Sequence, residues 1–197
     1  MIYVLCPGYF KTGGTELAHQ LVYQLKAYGV KAEITYYLEG KNHSKYQYKI
    51  NPDFERYVDG FCFLNDIEDI KENSVIFPET VVEMLSSYKY VKKYIWWMSV
   101  DNFSKYNSFI ESYKIRGVGR TVFNFLKCKI RNKDEIVLKA DMHLCQSKYA
   151  IDYLRNKGIV NSKIVYLSDY INESYRYIEE NSRKNNVLYN PSRTTIK

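Results

Sequence analysis

Cysteine is scarce and scattered: Cys6, Cys62, Cys128 and Cys145 form no C-x-x-C pair and have no histidine pair near them. Disulfide frameworks and zinc sites need close, regular spacing of such residues, so neither is indicated and buried thiols are expected. No stretch approaches the ~18 consecutive apolar residues of a membrane-spanning helix. No charged region precedes the first apolar run, Ile2-Tyr3-Val4-Leu5-Cys6, so a secretory leader is not read and a cytoplasmic protein is expected. Internal repeats and low-complexity tracts are absent from the sequence as well. So are two phosphate-binding signatures: Lys11-Thr12 precede the pair Gly13-Gly14 instead of following it, and Gly8, Gly13 and Gly14 do not fit G-x-G-x-x-G.

One stretch lacks acid altogether. From Ser112 to Lys133 there is no Asp or Glu, but there are Lys114, Arg116, Arg120, Lys127, Lys129, Arg131 and Lys133. Those seven come from a total of 29 basic residues, and the other 22 equal the 22 acidic ones, so the whole net charge of +7 lies in this segment.

Against these absences stands an ordinary globular composition, 46% hydrophobic and 26% charged over 197 residues, which is enough for one sizeable domain with a real core. Residues 7–21 read PGYFKTGGTELAHQL and pass from strand to glycine loop to helix. The glycine pair allows positive φ and close approach of another group. Thr15 is expected to open a helix with Leu17, Ala18, Leu21, Val22, Leu25 and Tyr28 at helical spacing, ending near Gly29. The free N–H groups of its first turn suit an anion or polar ligand. A tight connection without ligand is the plain alternative.

Further strands are expected at Lys31 to Leu38, Phe61 to Leu64 and Ser74 to Phe77, the last closed by Pro78. A helix follows at Glu79 to Ser87. Tyr94 to Val100 is the strongest buried strand and delivers Ser99, Asp101 and Asn102 to its C-terminal end, where open α/β sheets keep ligands. After a helical and basic stretch come a strand at Met142 to Gln146, a helix at Lys148 to Lys157 between an N-cap Ser147 and a stop at Gly158, and a strand at Lys163 to Leu167. The alternation predicts an α/β fold with a Rossmann-like, doubly wound, mostly parallel sheet. The segment Asn186 to Pro191 reads as the first strand of something new, set off by the charged stretch Glu179 to Lys184.

In order along the chain, GGTELAHQLVYQL, VIFPE, YIWWMSVDNF, ADMHLCQSKYAIDYLRNKGI, VYLSDYI and VLYNP resemble the N-terminal half of a bacterial GT-B glycosyltransferase. That class has two Rossmann-like domains facing a cleft. The resemblance implies that residues 1–185 form the acceptor-side domain, and that 186–197 are the interdomain crossing and first strand of a donor domain whose remainder this sequence does not contain. It further implies a sugar transfer from a nucleotide-sugar donor to a saccharide or lipid-linked saccharide in surface-polysaccharide assembly. No cofactor besides that donor substrate is expected, and no metal. A donor-domain partner chain, or a carbohydrate- or nucleotide-binding module without catalysis, are the alternatives.

Within this reading Gly13, Gly14, Thr15 and Glu16 line the ligand cleft, with Ser99, Asn102 and Ser147. Asp101 is the candidate catalytic carboxylate, because transfer needs a hydroxyl deprotonated or an oxocarbenium-like centre stabilised; its alternative is an N-cap for 102–107. Trp96 and Trp97 could stack on a sugar, although alternation along a buried strand puts at least one in the core. His19 reads as a surface or satisfied histidine, and Asp66, Glu68 and Asp69 as a solvated acidic turn.

The basic segment interleaves its cations with Val118, Val122, Phe123, Phe125, Leu126 and Ile130. That pattern suits an interfacial helix on anionic lipid, where each cation is worth about 1 kcal/mol. Arg116, Arg120, Lys127, Lys129 and Arg131 are the candidate membrane-surface residues, which would make the protein peripheral at the inner face of the plasma membrane. A packed helix with a solvated face is the alternative. No nucleic-acid-binding motif accompanies the charge.

Overall fold

The computed structural model describes residues 1–37, 49–127 and 129–167. Seven parallel strands form one sheet: β1 (Ile2–Cys6), β2 (Ala32–Tyr36), β3 (Cys62–Phe63), β4 (Ser74–Pro78), β5 (Lys92–Trp97), β6 (Met142–Cys145) and β7 (Ile164–Tyr166). Their order is β3-β2-β1-β4-β5-β6-β7, the Rossmann-like doubly wound arrangement expected. The chain winds outward from β1 in one direction and from β4 in the other. The order reverses between those two strands, which pair as Ile2 with Ser74 and Val4 with Ile76.

Helices cover both faces, as parallel strands buried on two sides require. On one face α1 (Gly13–Ala27) lays Ala18 and Val22 over Val4, Cys6, Ile34, Tyr36 and Ile76. On the other, a 3-10 segment at 79–87, α2 (Val100–Asn107), α5 (Asp134–Leu138) and α6 (Lys148–Asn156) enclose Leu5, Val75, Phe77, Ile95 and Trp97. Each aliphatic or Phe side chain removed from water this way contributes roughly 1.5–3 kcal/mol. Between α2 and α5 run α3 (Phe109–Arg116) and α4 (Val118–Leu126).

Several boundaries shift from the sequence expectation, each for a local reason. The helix α1 starts at Gly13, not Thr15, because Thr12 sits extended at its N-cap and accepts the Thr15 N–H. Neither Gly13 nor Gly14 has positive φ; the left-handed residue of this loop is Gly8, at +93°. The expected helix at Glu79 to Ser87 is a 3-10 segment kinked by non-helical backbone at Val81. The tryptophan strand ends at Trp97, which frees Ser99 to cap α2. Trp96 and Trp97 are both core, 3% and 1% exposed. The segment 186–197, Cys128 and the last part of VYLSDYI lie outside the described residues.

Candidate functional site

At the switch point a cleft of about 540 Å³ opens beyond the C-terminal ends of β1, β4 and β5. Its walls are the loop and first turns of α1 (Thr12 to Thr15, Leu17, Ala18), the end of β1 (Leu5 to Pro7) and Tyr37. Pro78, Glu79 and Thr80 after β4, Met98, Ser99 and Asn102 after β5, and Gln146 after β6 complete it. The volume falls in the ordinary range for small-molecule sites, and the position is where open α/β sheets bind ligands.

The α1 end is tied down by its own side chains. Thr12 Oγ1 accepts the Thr15 N–H at 3.2 Å, and Thr15 Oγ1 accepts the Thr12 N–H at 2.9 Å while donating to the Phe10 carbonyl at 2.7 Å. Thr15 is therefore a cleft wall whose polar groups serve the loop. Gly13 and Gly14 differ: first-turn N–H groups have no carbonyl within the helix to bond, and here they stand at the positive end of a 15-residue dipole. A Cβ on Gly14 would lie 3.3 Å from the Met98 sulfur, so the small residue permits α1 and β5 to approach across the cleft floor.

Opposite stands Glu79, which the motif VIFPE contains but sequence reasoning did not single out. It is 2% exposed although it lines the cleft. Its Oε2 accepts the Met98 N–H at 3.3 Å. Burial pushes its pKa up from 4.5 to about 7, outweighing hydrogen bonds from its own N–H and those of Met98 and Ser99 and the Lys105 charge. A carboxyl titrating there can hold or release a proton near neutrality. Its position gave one usable sign: an acid directly after the strand beside the switch point.

The remaining predicted residues divide. Ser99 and Asn102 join the cleft; Ser99 Oγ accepts the Asn102 N–H at 3.3 Å, and Asn102 Oδ1 accepts from Lys105. Asp101 does not line it. It lies exposed in the first turn of α2 and accepts from the Tyr149 hydroxyl of α6 at 3.3 Å, and the cap it was weighed for is Ser99. Glu16 also points away: its Oε1 collects Gln20, Arg56 and Tyr57 at 3.4, 3.3 and 3.2 Å, binding α1 to the segment beside it. Ser147 is exposed and caps α6 by accepting the Ala150 N–H at 3.1 Å, while its neighbour Gln146 reaches the cleft.

His19 is fully buried and bonded through both ring nitrogens, to the Thr15 carbonyl and the Tyr36 hydroxyl at 2.7 Å each. Asp69 accepts three backbone N–H groups, from Lys89, Tyr90 and Val91, at 2.7, 2.8 and 2.9 Å. Among the described residues no group of three His, Cys, Asp or Glu could hold a metal ion. Burial raises the thiols of Cys6 to about 12 and Cys145 to about 11, so both are unreactive at neutral pH.

Away from the cleft, the basic segment forms the α3 end, α4 and the stretch that follows. Arg116 lies over the Tyr106 ring at 4.5 Å and Lys127 over Phe123 at 4.4 Å. Lys133 is buried and pairs with Glu83, which removes it from the charged surface. No described helix is long and apolar enough to cross a membrane.

Fold and cleft together define a Rossmann-like, doubly wound α/β domain with its candidate site at the switch point. No family model matches the sequence, and no curated protein is significantly similar to it.

Proposed function

We propose that this chain is the acceptor-side half of a glycosyltransferase, which moves a sugar from a nucleotide-sugar to a saccharide or lipid-linked saccharide. One observation carries the reading. Four of the motif segments that resemble GT-B enzymes are far apart in the sequence, and each supplies residues to the same cleft: GGTELAHQL gives Gly13, Gly14 and Thr15, VIFPE gives Glu79, WWMSVDN gives Met98, Ser99 and Asn102, and CQSKYA gives Gln146.

The chemistry suits those groups. In sugar transfer the acceptor hydroxyl oxygen bonds to the anomeric carbon, the bond to the donor phosphate breaks with its electron pair, and the hydroxyl proton must go to a base. In this reading Glu79 takes that proton, and its carboxyl, pushed up by burial to about 7, supports the role. The N-terminus of α1 faces where negative charge would collect. In this reading a donor-side half completes the site, and residues 1–197 supply the acceptor-side wall, which is examined through binding.

Calorimetric or NMR titration of the chain with nucleoside diphosphates, nucleotide-sugars and simple saccharides tests this. Saturable binding of one of these, weakened at least tenfold by Gly14→Val, which fills the floor, and by Glu79→Gln, supports the reading. Absence of binding at millimolar concentration, or binding indifferent to both variants, removes it.

A further inference from the structure

The helix α4 is built inside out. Its two buried side chains are polar, Thr121 and Asn124, and Thr121 shares a buried hydroxyl contact of 3.1 Å with Ser112 of α3. Its apolar side chains face outward instead: Val118 is 61% exposed, Phe123 54%, Phe125 55% and Leu126 75%. The preceding helix continues the surface with Ile110, 65% exposed, and Phe109, whose ring meets Phe125 edge-on at 5.5 Å. A soluble helix orients the other way, because outward-facing Phe and Leu give up the burial that drives folding. Such a contiguous apolar surface marks a docking face.

Charge decides what docks there. Lys114, Arg120, Lys127 and Lys129 are exposed around this surface and make no ion pair with any described residue. Arg116 and Arg131 add two more cations, and the segment 112–133 has no acid. A protein partner would have to combine a greasy centre with a dense acidic rim. An anionic lipid surface supplies both at once, acyl chains for the aromatic and aliphatic side chains and headgroup phosphates for the cations.

We propose that α3 and α4 form a membrane-docking face that lays Phe123, Leu126 and their neighbours among the headgroups of an anionic bilayer. The cations flank the apolar patch, so the hairpin lies along the interface and does not cross it. This stands independently of the sugar-transfer reading, since vesicles without saccharide or nucleotide suffice to examine it.

The full chain would be sedimented with phosphatidylcholine vesicles and with vesicles containing phosphatidylglycerol, at low and high salt. The expected result is binding to the anionic vesicles alone, weakened by salt. Replacing Arg120, Lys127, Lys129 and Arg131 with Gln should reduce partitioning on the order of a hundredfold or more, at roughly fivefold per cation. Phe123→Ser with Leu126→Ser should abolish it while leaving the circular dichroism unchanged, because both side chains are exposed. Equal recovery in the supernatant with both vesicle types would overturn the proposal. So would a concentration-dependent dimer without vesicle binding that the Ser variant dissolves, which would assign the face to a second copy of the chain.

Discussion

The cleft and the α3–α4 hairpin break the burial rule in opposite directions. At the cleft a carboxyl is taken out of water: Glu79 is 2% exposed. At the hairpin a leucine is put into it: Leu126 is 75% exposed. Each arrangement costs stability, and the rest of the fold obeys the rule with cores of Val, Ile, Leu, Phe and Trp on both faces of the sheet. Such local conflicts concentrate where a molecule does something besides fold. The two places also differ in kind. The partner proposed for the buried acid is a small polar ligand, and the one proposed for the exposed apolar surface is something large.

The largest expected effect comes from the core between them. Trp97 packs edge-on against Phe103 of α2 at 5.0 Å, donates its Nε1–H to His143 at 3.1 Å, and lies one residue before the cleft-lining Met98. Trp97→Ala should cost roughly 3–5 kcal/mol in urea unfolding, a large share of the stability of any domain this size. A loss under about 1 kcal/mol would mean that cleft and hairpin are supported separately.

Next comes the acid. A carboxyl raised to about 7 keeps its proton in the folded chain between pH 4.5 and 7, where the unfolded chain has released it. The folded state then binds more protons, so this group makes stability fall as pH rises through that window and level off above it. His143, lowered to about 4 by burial and then by Lys163, and His19, lowered by burial, work the other way and cost stability below pH 6.5. The histidines cancel when Glu79→Gln is compared with the parent. The variant should gain on the parent by roughly 3 kcal/mol between pH 4.5 and pH 8. A pH-independent difference between the two proteins would show that Glu79 is ionised and solvated like an ordinary acid.

The smallest effect sharpens the contrast. Leu126→Ser should leave the unfolding free energy within about 0.5 kcal/mol of the parent, since the side chain is already in water. A loss of 2 kcal/mol or more, the scale of a core leucine, would show that the hairpin closes on itself in solution.

Much of the scaffold was legible. Runs such as Ile2 to Cys6 and Ser74 to Phe77 are continuous apolar segments of strand length, and Ser147 and Gly158 bracket α6 with the residues that helix ends prefer. The glycine pair, Ser99 and Asn102, which line the cleft, drew notice in the sequence because they stand just beyond such strands. What stayed hidden depends on partners distant in sequence. An acid after Pro78 reads as a solvated first-turn residue, and only the β5 neighbour, with Met98 and Ser99 closing over it, encloses the carboxyl. Asp101 had the same sequence credentials as Asn102, but consecutive residues on a helix point about 100° apart, and one turned toward the cleft while the other turned toward Tyr149. Likewise, nothing in the period of α4 says which face meets Ser112.

The interior place of β1, between β2 and β4, has a consequence in time. Its neighbours lie at residues 32–36 and 74–78, and Met1 reaches Asn73 with its amino group at 2.9 Å. Parallel strands cannot pair through a tight hairpin, so every bond across β1 closes a long loop. During synthesis Ile2 to Cys6 can be paired on both edges only once residues 74–78 have left the ribosome. The switch-point cleft also takes Gln146, so the strand that floors it waits for residues far along the chain, and until its second edge is paired that edge is open to aggregation or to a chaperone.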